Sequence, residues 1–141
     1  MKVHISETLV TIIHNPSSFV KSFPTLIRKR LPDEIAVVCV SPKESQKLNH
    51  AYRKKDIPTN VLSFFYNKTY GEIIVCPAVV RAEAHVAGNS YKYQMTWMIV
   101  HGMIHLAGIH HERSSGMEKK SVTTERRILA DIFRTASVKK K

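Results

Sequence analysis

Apolar residues along the chain form short unbroken runs that alternate with stretches where they recur every three or four positions, and the two patterns predict strands and helices in turn. "EIAVVCV" (34–40) is a continuous β-branched run bounded by Pro32 and Pro42, as a buried strand should be. Ser41-Pro42-Lys43-Glu44 fits a capping box with proline at the first helical position, so a helix should run from there to about Arg53. "VLSFFY" (61–66) and "GEIIVC" (71–76), separated by "NKTY", predict the two strands of a hairpin. Pro77 then opens a short helix stopped by Gly88 and Asn89, and a second helix is expected from Tyr91 to Leu106. Over 116–135, Val122, Ile128, Leu129, Ile132 and Phe133 fall largely on one face of a terminal amphipathic helix.

The first third is less regular. "KVHI" reads as a short strand, and the segment from Ser17 to Leu31 has helical character interrupted by Pro24. No internal repeat, low-complexity linker or composition break divides the chain. The order of elements therefore predicts an α/β (α+β) fold: a small mixed sheet of about four strands with packed helices, in one domain over 1–141. A chain of 141 residues can bury roughly two-thirds of the surface its unfolded form exposes, enough for a real core. "SVKKK", with a tail from about 136 to 141, reads as a frayed basic end.

Charge narrows the partners. Twenty-two Lys and Arg against 11 Asp and Glu leave a formal charge of +11, which points to a polyanion, with nucleic acid favoured over an ordinary solvated surface. No stretch approaches the ~18 apolar residues of a membrane span, and the N-terminus lacks a signal-peptide cleavage pattern. Cys39 and Cys76 both sit in apolar runs, as small buried hydrophobes of a reduced compartment rather than a disulfide framework. A cytoplasmic protein with no membrane partner is the expectation.

The chemistry concentrates in "HGMIHLAGIHHE" (101–112), which holds four of the chain's eight histidines. On a helix, His101 and His105 stand on one face with Cβ atoms ~5–6 Å apart, so two imidazoles can converge on one ion. Gly108 can take the left-handed conformation that stops the helix and returns the chain, bringing a third histidine back. On spacing alone either His110 or His111 can be that third ligand, and the hinge favours His111. Three nitrogens with an open fourth position are the catalytic arrangement of zinc, and neutral imidazoles without a carboxylate cluster favour zinc over other divalent ions. A pair four apart also arises by chance in core helices; three histidines with a glycine hinge are rarer.

A zinc peptidase of the His-Glu-x-x-His kind carries its general base directly after the first histidine, where this chain has Gly102. A mid-helix glycine costs about 1 kcal/mol relative to alanine, so close approach by a substrate or a neighbouring element is the expected reason for it. Zinc can still acidify a bound water to a pKa of about 7 and polarise a phosphoryl oxygen. In a basic protein a phosphodiester is the natural substrate.

"HGMIHLAGIHH" resembles the His-Gly-x-Leu-His-Leu-x-Gly-x-Asp-His signature of the YbeY family of bacterial endoribonucleases, which act in ribosomal RNA maturation. "LNHAYRKKDIPTNVLSF" (48–64) is similar to the family's second motif and "GEIIVCP" (71–77) to its Gly-Asp-Ile strand, so the likeness spans roughly residues 34–112. The resemblance implies one zinc ion per chain held by His101, His105 and His111, in a cleft crossed by the metal-site helix. Arg53 is implied as the basic catalytic residue, acting with a zinc-bound water. A planar guanidinium can hold a phosphate through two hydrogen bonds, which gives Arg53 independent sense. Lys54 and Lys55 extend this basic segment toward RNA, or else Arg53, Lys54 and Lys55 together form a solvated basic loop, and Thr59, Asn60 and Ser63 fall near the same cleft or serve the turn. The implied substrate is single-stranded RNA, as ribosomal RNA precursor or small ribosomal subunit, with ribosomal proteins or assembly factors as further partners.

His110 stands where the family pattern has Asp, so an acidic group that would orient a ligand imidazole is missing there, and Glu112 is the nearest substitute. Glu72 replaces the family's Asp with a longer arm. Two other functions share these features: a zinc-stabilised ribosome-assembly factor that binds RNA without cutting it, and a metal-dependent hydrolase of another substrate. Lys119, Lys120, Arg126 and Arg127 of the terminal helix either touch RNA or form an ordinary solvated face.

Overall fold

The computed structural model describes residues 2–10, 13, 16–109 and 115–139. Strand β1 (Lys2–Ile5) is followed by a helical turn α1 (Glu7–Val10), a 3-10 helix over Pro16–Ser22 and a turn α2 (Thr25–Arg28). The remainder is β2 (Glu34–Cys39), α3 (Pro42–Arg53), β3 (Val61–Phe65), β4 (Tyr70–Val75), α4 (Pro77–Ala87), α5 (Tyr91–Leu106) and α6 (Ser115–Lys139). The helical character expected over 17–31 is thus split into 3-10 and α pieces at Pro24, whose ring forbids a continuous helix. α6 runs from Ser115 to Lys139. The stretch Thr135-Ala136-Ser137-Val138 contains no glycine or proline to stop it.

The strands among the described residues form one sheet in the order β1-β2-β4-β3. β1, β2 and β4 are parallel, and β3 pairs antiparallel with β4 through the short 66–69 loop. Asn67 shapes that loop, its Oδ1 accepting from the Thr69 amide at 2.8 Å and the Tyr70 amide at 2.9 Å. The mixed α/β architecture expected from the sequence is the one observed.

One face of the sheet carries the core. Ile35 and Val37 of β2 and Ile73 and Val75 of β4 point into it, against Met95, Ile99, Met103 and Ile104 of α5. Each such side chain contributes at most about 1.5–3 kcal/mol of burial. α6 closes the layer with Ile128 and Leu129, packing on α5 and on the 3-10 helix.

The opposite face is only partly covered. α3 reaches it near β3, where the Tyr52 ring meets Phe64 edge-on at 4.8 Å, while Val38 remains 38% exposed and Ala36, Tyr70, Glu72 and Ile74 are half-buried. β2 was expected to be buried on both sides, as in most parallel sheets. It alternates instead, because the helical layer lies mainly on one side.

Candidate active site

α5 begins at a Ser90 cap, whose hydroxyl accepts from the Tyr93 amide at 3.1 Å. It ends in a Schellman motif: the Gly108 amide donates to His105 O at 2.9 Å and the Ile109 amide to Ile104 O at 3.2 Å, with Gly108 at φ +85. The glycine stop expected at 108 is therefore present, and it turns the chain directly after the last histidine of the helix.

His101 and His105, one turn apart, bring their ring centroids to 4.5 Å, inclined at 55°. Both are half-buried on α5. Between them, Gly102 faces the sheet: a Cβ there would stand 2.9 Å from Ile73 Cγ2 and 3.1 Å from Ser63 Oγ. A neighbouring element, rather than a substrate, accounts for this glycine. The Ser63 hydroxyl donates to Gly102 O at 3.2 Å and ties β3 to the turn that carries both histidines.

A carboxylate stands behind His101. Glu125 Oε1 of α6 lies within hydrogen-bonding distance of His101 Nδ1, and Glu125 is only 3% exposed. A buried carboxylate without a partner would cost several kcal/mol, and the His101 ring supplies one. Glu125 is not among the site residues expected from the sequence. Its signal was the spacing: Val122, Glu125, Leu129 and Ile132 repeat at helical intervals, so a glutamate occupies the apolar stripe.

Arg53 is the last residue of α3 and Lys54 its left-handed cap at φ +61, so Arg53, Lys54 and Lys55 are three consecutive exposed cations at a helix C-terminus, where the dipole favours positive charge. The loop that follows is clamped to α3. Ser45 Oγ donates to Thr59 O and accepts from the Thr59 amide, both at 2.7 Å; Asn49 Nδ2 donates to Ile57 O at 3.0 Å, and Gln46 Nε2 to Asp56 Oδ1 at 3.0 Å. Asn60 Nδ2 reaches Glu83 of α4 at 2.9 Å. Thr59 and Asn60 thus serve the loop's hydrogen bonding, and Ser63 the contact with α5.

His110, His111 and Glu112 lie outside the described residues, as do the side chains of Lys119 and Lys120. Among the described residues no group of three or more His, Cys, Asp or Glu is arranged to hold a metal ion. Arg126 and Arg127 are exposed on α6.

A sequence model of the family described as endoribonuclease YbeY matches residues 2–132. The chain belongs to the YbeY family. Among curated YbeY relatives, the endoribonuclease of Thermotoga sp. (strain RQ2) is 31% identical over 111 residues, covering 77% of this chain and 74% of its own. Those of Pseudoalteromonas translucida and Aromatoleum aromaticum are 35% identical over 115 residues and 38% over 102, covering 76% and 70% of this chain and 74% and 66% of theirs. A Thermotoga maritima solution structure shares the fold, with a TM-score of 0.60 at 23% identity over 94% of this chain and 93% of that one. Among the described residues no helix is long and apolar enough to cross a membrane.

Proposed function

We propose that this protein is a zinc-dependent endoribonuclease that cuts single-stranded stretches of RNA in the cytoplasm and acts on ribosomal RNA precursor or the small ribosomal subunit. The observation that carries the reading is the convergence of the His101 and His105 rings, 4.5 Å apart on one face of α5, in a chain of the YbeY endoribonuclease family. The net charge of +11 suits a phosphodiester polyanion.

The donor set fits zinc. Two imidazoles a turn apart are borderline-soft nitrogen ligands, and His111, three residues beyond Gly108 in the sequence and outside the described residues, is the third ligand of this reading. When bound, zinc supplies Lewis-acid polarisation of a phosphoryl oxygen and acidifies water. The chain itself binds and orients the strand. The exposed Arg53 guanidinium can grip a phosphate through two parallel hydrogen bonds and offset charge that develops on its oxygens. Lys54 and Lys55 add backbone contacts, which position RNA without reading its bases, so sequence selectivity is modest. The clamp from Ser45 and Asn49 keeps this basic corner in place while the Ser63 contact seats the histidine helix.

The test is to incubate protein of verified zinc content, and its His105→Ala variant, with precursor ribosomal RNA and synthetic single-stranded RNA, then map the products. His105→Ala should lose metal and cleavage together. Full cleavage by the zinc-free variant would remove zinc from the mechanism. Binding without cleavage by the zinc-loaded wild type would replace the enzyme with an RNA-binding assembly factor.

A further inference from the structure

We propose that Glu125 is a positioning residue of the metal centre: from α6 it holds His101 in the tautomer that carries hydrogen on Nδ1, so that Nε2 is the nitrogen presented to the ion. The proposal rests on the zinc reading above and adds to it a residue from a different helix, outside the histidine motif.

Glu125 Oε1 approaches Nδ1 of His101, and an ionised carboxylate has no hydrogen to give, so Nδ1 is the donor. The neutral imidazole then keeps its lone pair on Nε2. A ring whose other nitrogen donates to a carboxylate is fixed in orientation and made a more basic ligand, the usual support for a metal-bound histidine.

The placement of Glu125 makes that support rigid. It is 3% exposed, with Ile128 and Leu129, three and four residues on, at 1% and 2%. These two side chains pack α6 into the core. The carboxylate is thereby held on the inner face of the helix and cannot swing to solvent. A stability role alone accounts poorly for a charge there, since replacing a buried ion pair by apolar residues of similar size is often neutral or stabilising. The carboxylate reaches His101 from a different helix, across the α5–α6 contact. Docking of the terminal helix and ordering of the metal centre become one event.

Two variants separate positioning from packing. Glu125→Leu keeps an apolar contact and removes the acceptor; Glu125→Gln keeps an acceptor oxygen at nearly the same place. Zinc affinity is read by chelator competition on the full chain, alongside thermal unfolding of the zinc-free proteins. Glu125→Leu should bind zinc about 10- to 100-fold more weakly, the usual effect of losing such a partner, while the zinc-free fold melts no lower than wild type. Glu125→Gln should recover most of the affinity. Wild-type affinity in a folded Glu125→Leu protein overturns the proposal. So does an affinity loss matched by a lower zinc-free melting temperature and not rescued by Gln.

Should Glu125→Leu fail to fold, the wild type decides. Long-range nitrogen–proton spectra of its zinc-free form at mildly alkaline pH should show His101 carrying hydrogen on Nδ1; hydrogen on Nε2 overturns the assignment. Failure of the wild type to take up zinc would instead bring down the metal reading on which the proposal rests, an outcome separate from equal binding by both proteins.

Discussion

The Ser63 hydroxyl of β3 donates to the Gly102 carbonyl of α5 at 3.2 Å, and a Cβ on that glycine would come within 3.1 Å of the same hydroxyl. The missing side chain lets the helix bearing His101 and His105 settle on the sheet between its two histidines. Gly102→Ala would drive a methyl group into Ile73, which is fully buried and cannot yield. Overpacking costs about 1–3 kcal/mol, and better helix propensity returns about 1, so a net loss of about 1 kcal/mol is expected. A lower midpoint in chemical denaturation checks this; an unchanged or higher one would show that the helix has room to move.

Ser45→Ala should loosen the basic corner from behind. Its hydroxyl serves both the amide and the carbonyl of Thr59 and is 1% exposed, so the variant strands two backbone groups at about 1–3 kcal/mol. Hydrogen exchange at the Thr59 amide should accelerate more than exchange in the core strand β4. Equal protection in variant and wild type would show that Asn49 and Gln46 hold the loop unaided.

Arg53→Ala leaves the fold alone, because the side chain is exposed at the end of α3. Zinc content should be unchanged and RNA cleavage should fall about 100-fold, the scale of losing one positioned donor to developing charge. Wild-type cleavage rates in single-turnover assays would remove Arg53 from the mechanism.

Tyr66 supplies a pH dependence. Its hydrogen bond to Glu72, together with the Glu72 charge, pushes the phenol up from 10.0 to about 12. The neutral phenol is favoured in the folded state, so the stability it contributes is fully present below pH 10.0 and is lost as pH rises toward about 12. Ultraviolet titration of Glu72→Gln should show a phenolate forming at lower pH than in wild type, and Tyr66→Phe should delete that late step. Coincident curves for Glu72→Gln and wild type would rule out the Glu72 contact as the cause.

Local elements were legible because their signals are local. The Ser41 capping box, Pro77 and Gly88 at the two ends of α4, and Gly108 after α5 each act over a few residues of backbone, and each stands where the pattern placed it. The His101–His105 pair was legible for the same reason, since helical spacing alone puts both on one face. Two readings turned on tertiary packing. β2 looked buried on both sides, yet Val38 is exposed because the helices collect on the other face of the sheet. Gly102 had two candidate causes, and only the approach of β3 and β4 separated them.

The sequence by itself determined the alternation of strands and helices, the charge that calls for a polyanion, and a pair of imidazoles on one turn, all consequences of backbone period and residue chemistry. Tertiary structure decided what stands around that turn. Glu125 is 24 residues from His101, and Ser63 is 39 residues from Gly102. No local period links residues so far apart in the chain. Their contacts exist because burial of the apolar face of α5 against the sheet, and of α6 against α5, brings the polar groups set within those faces together.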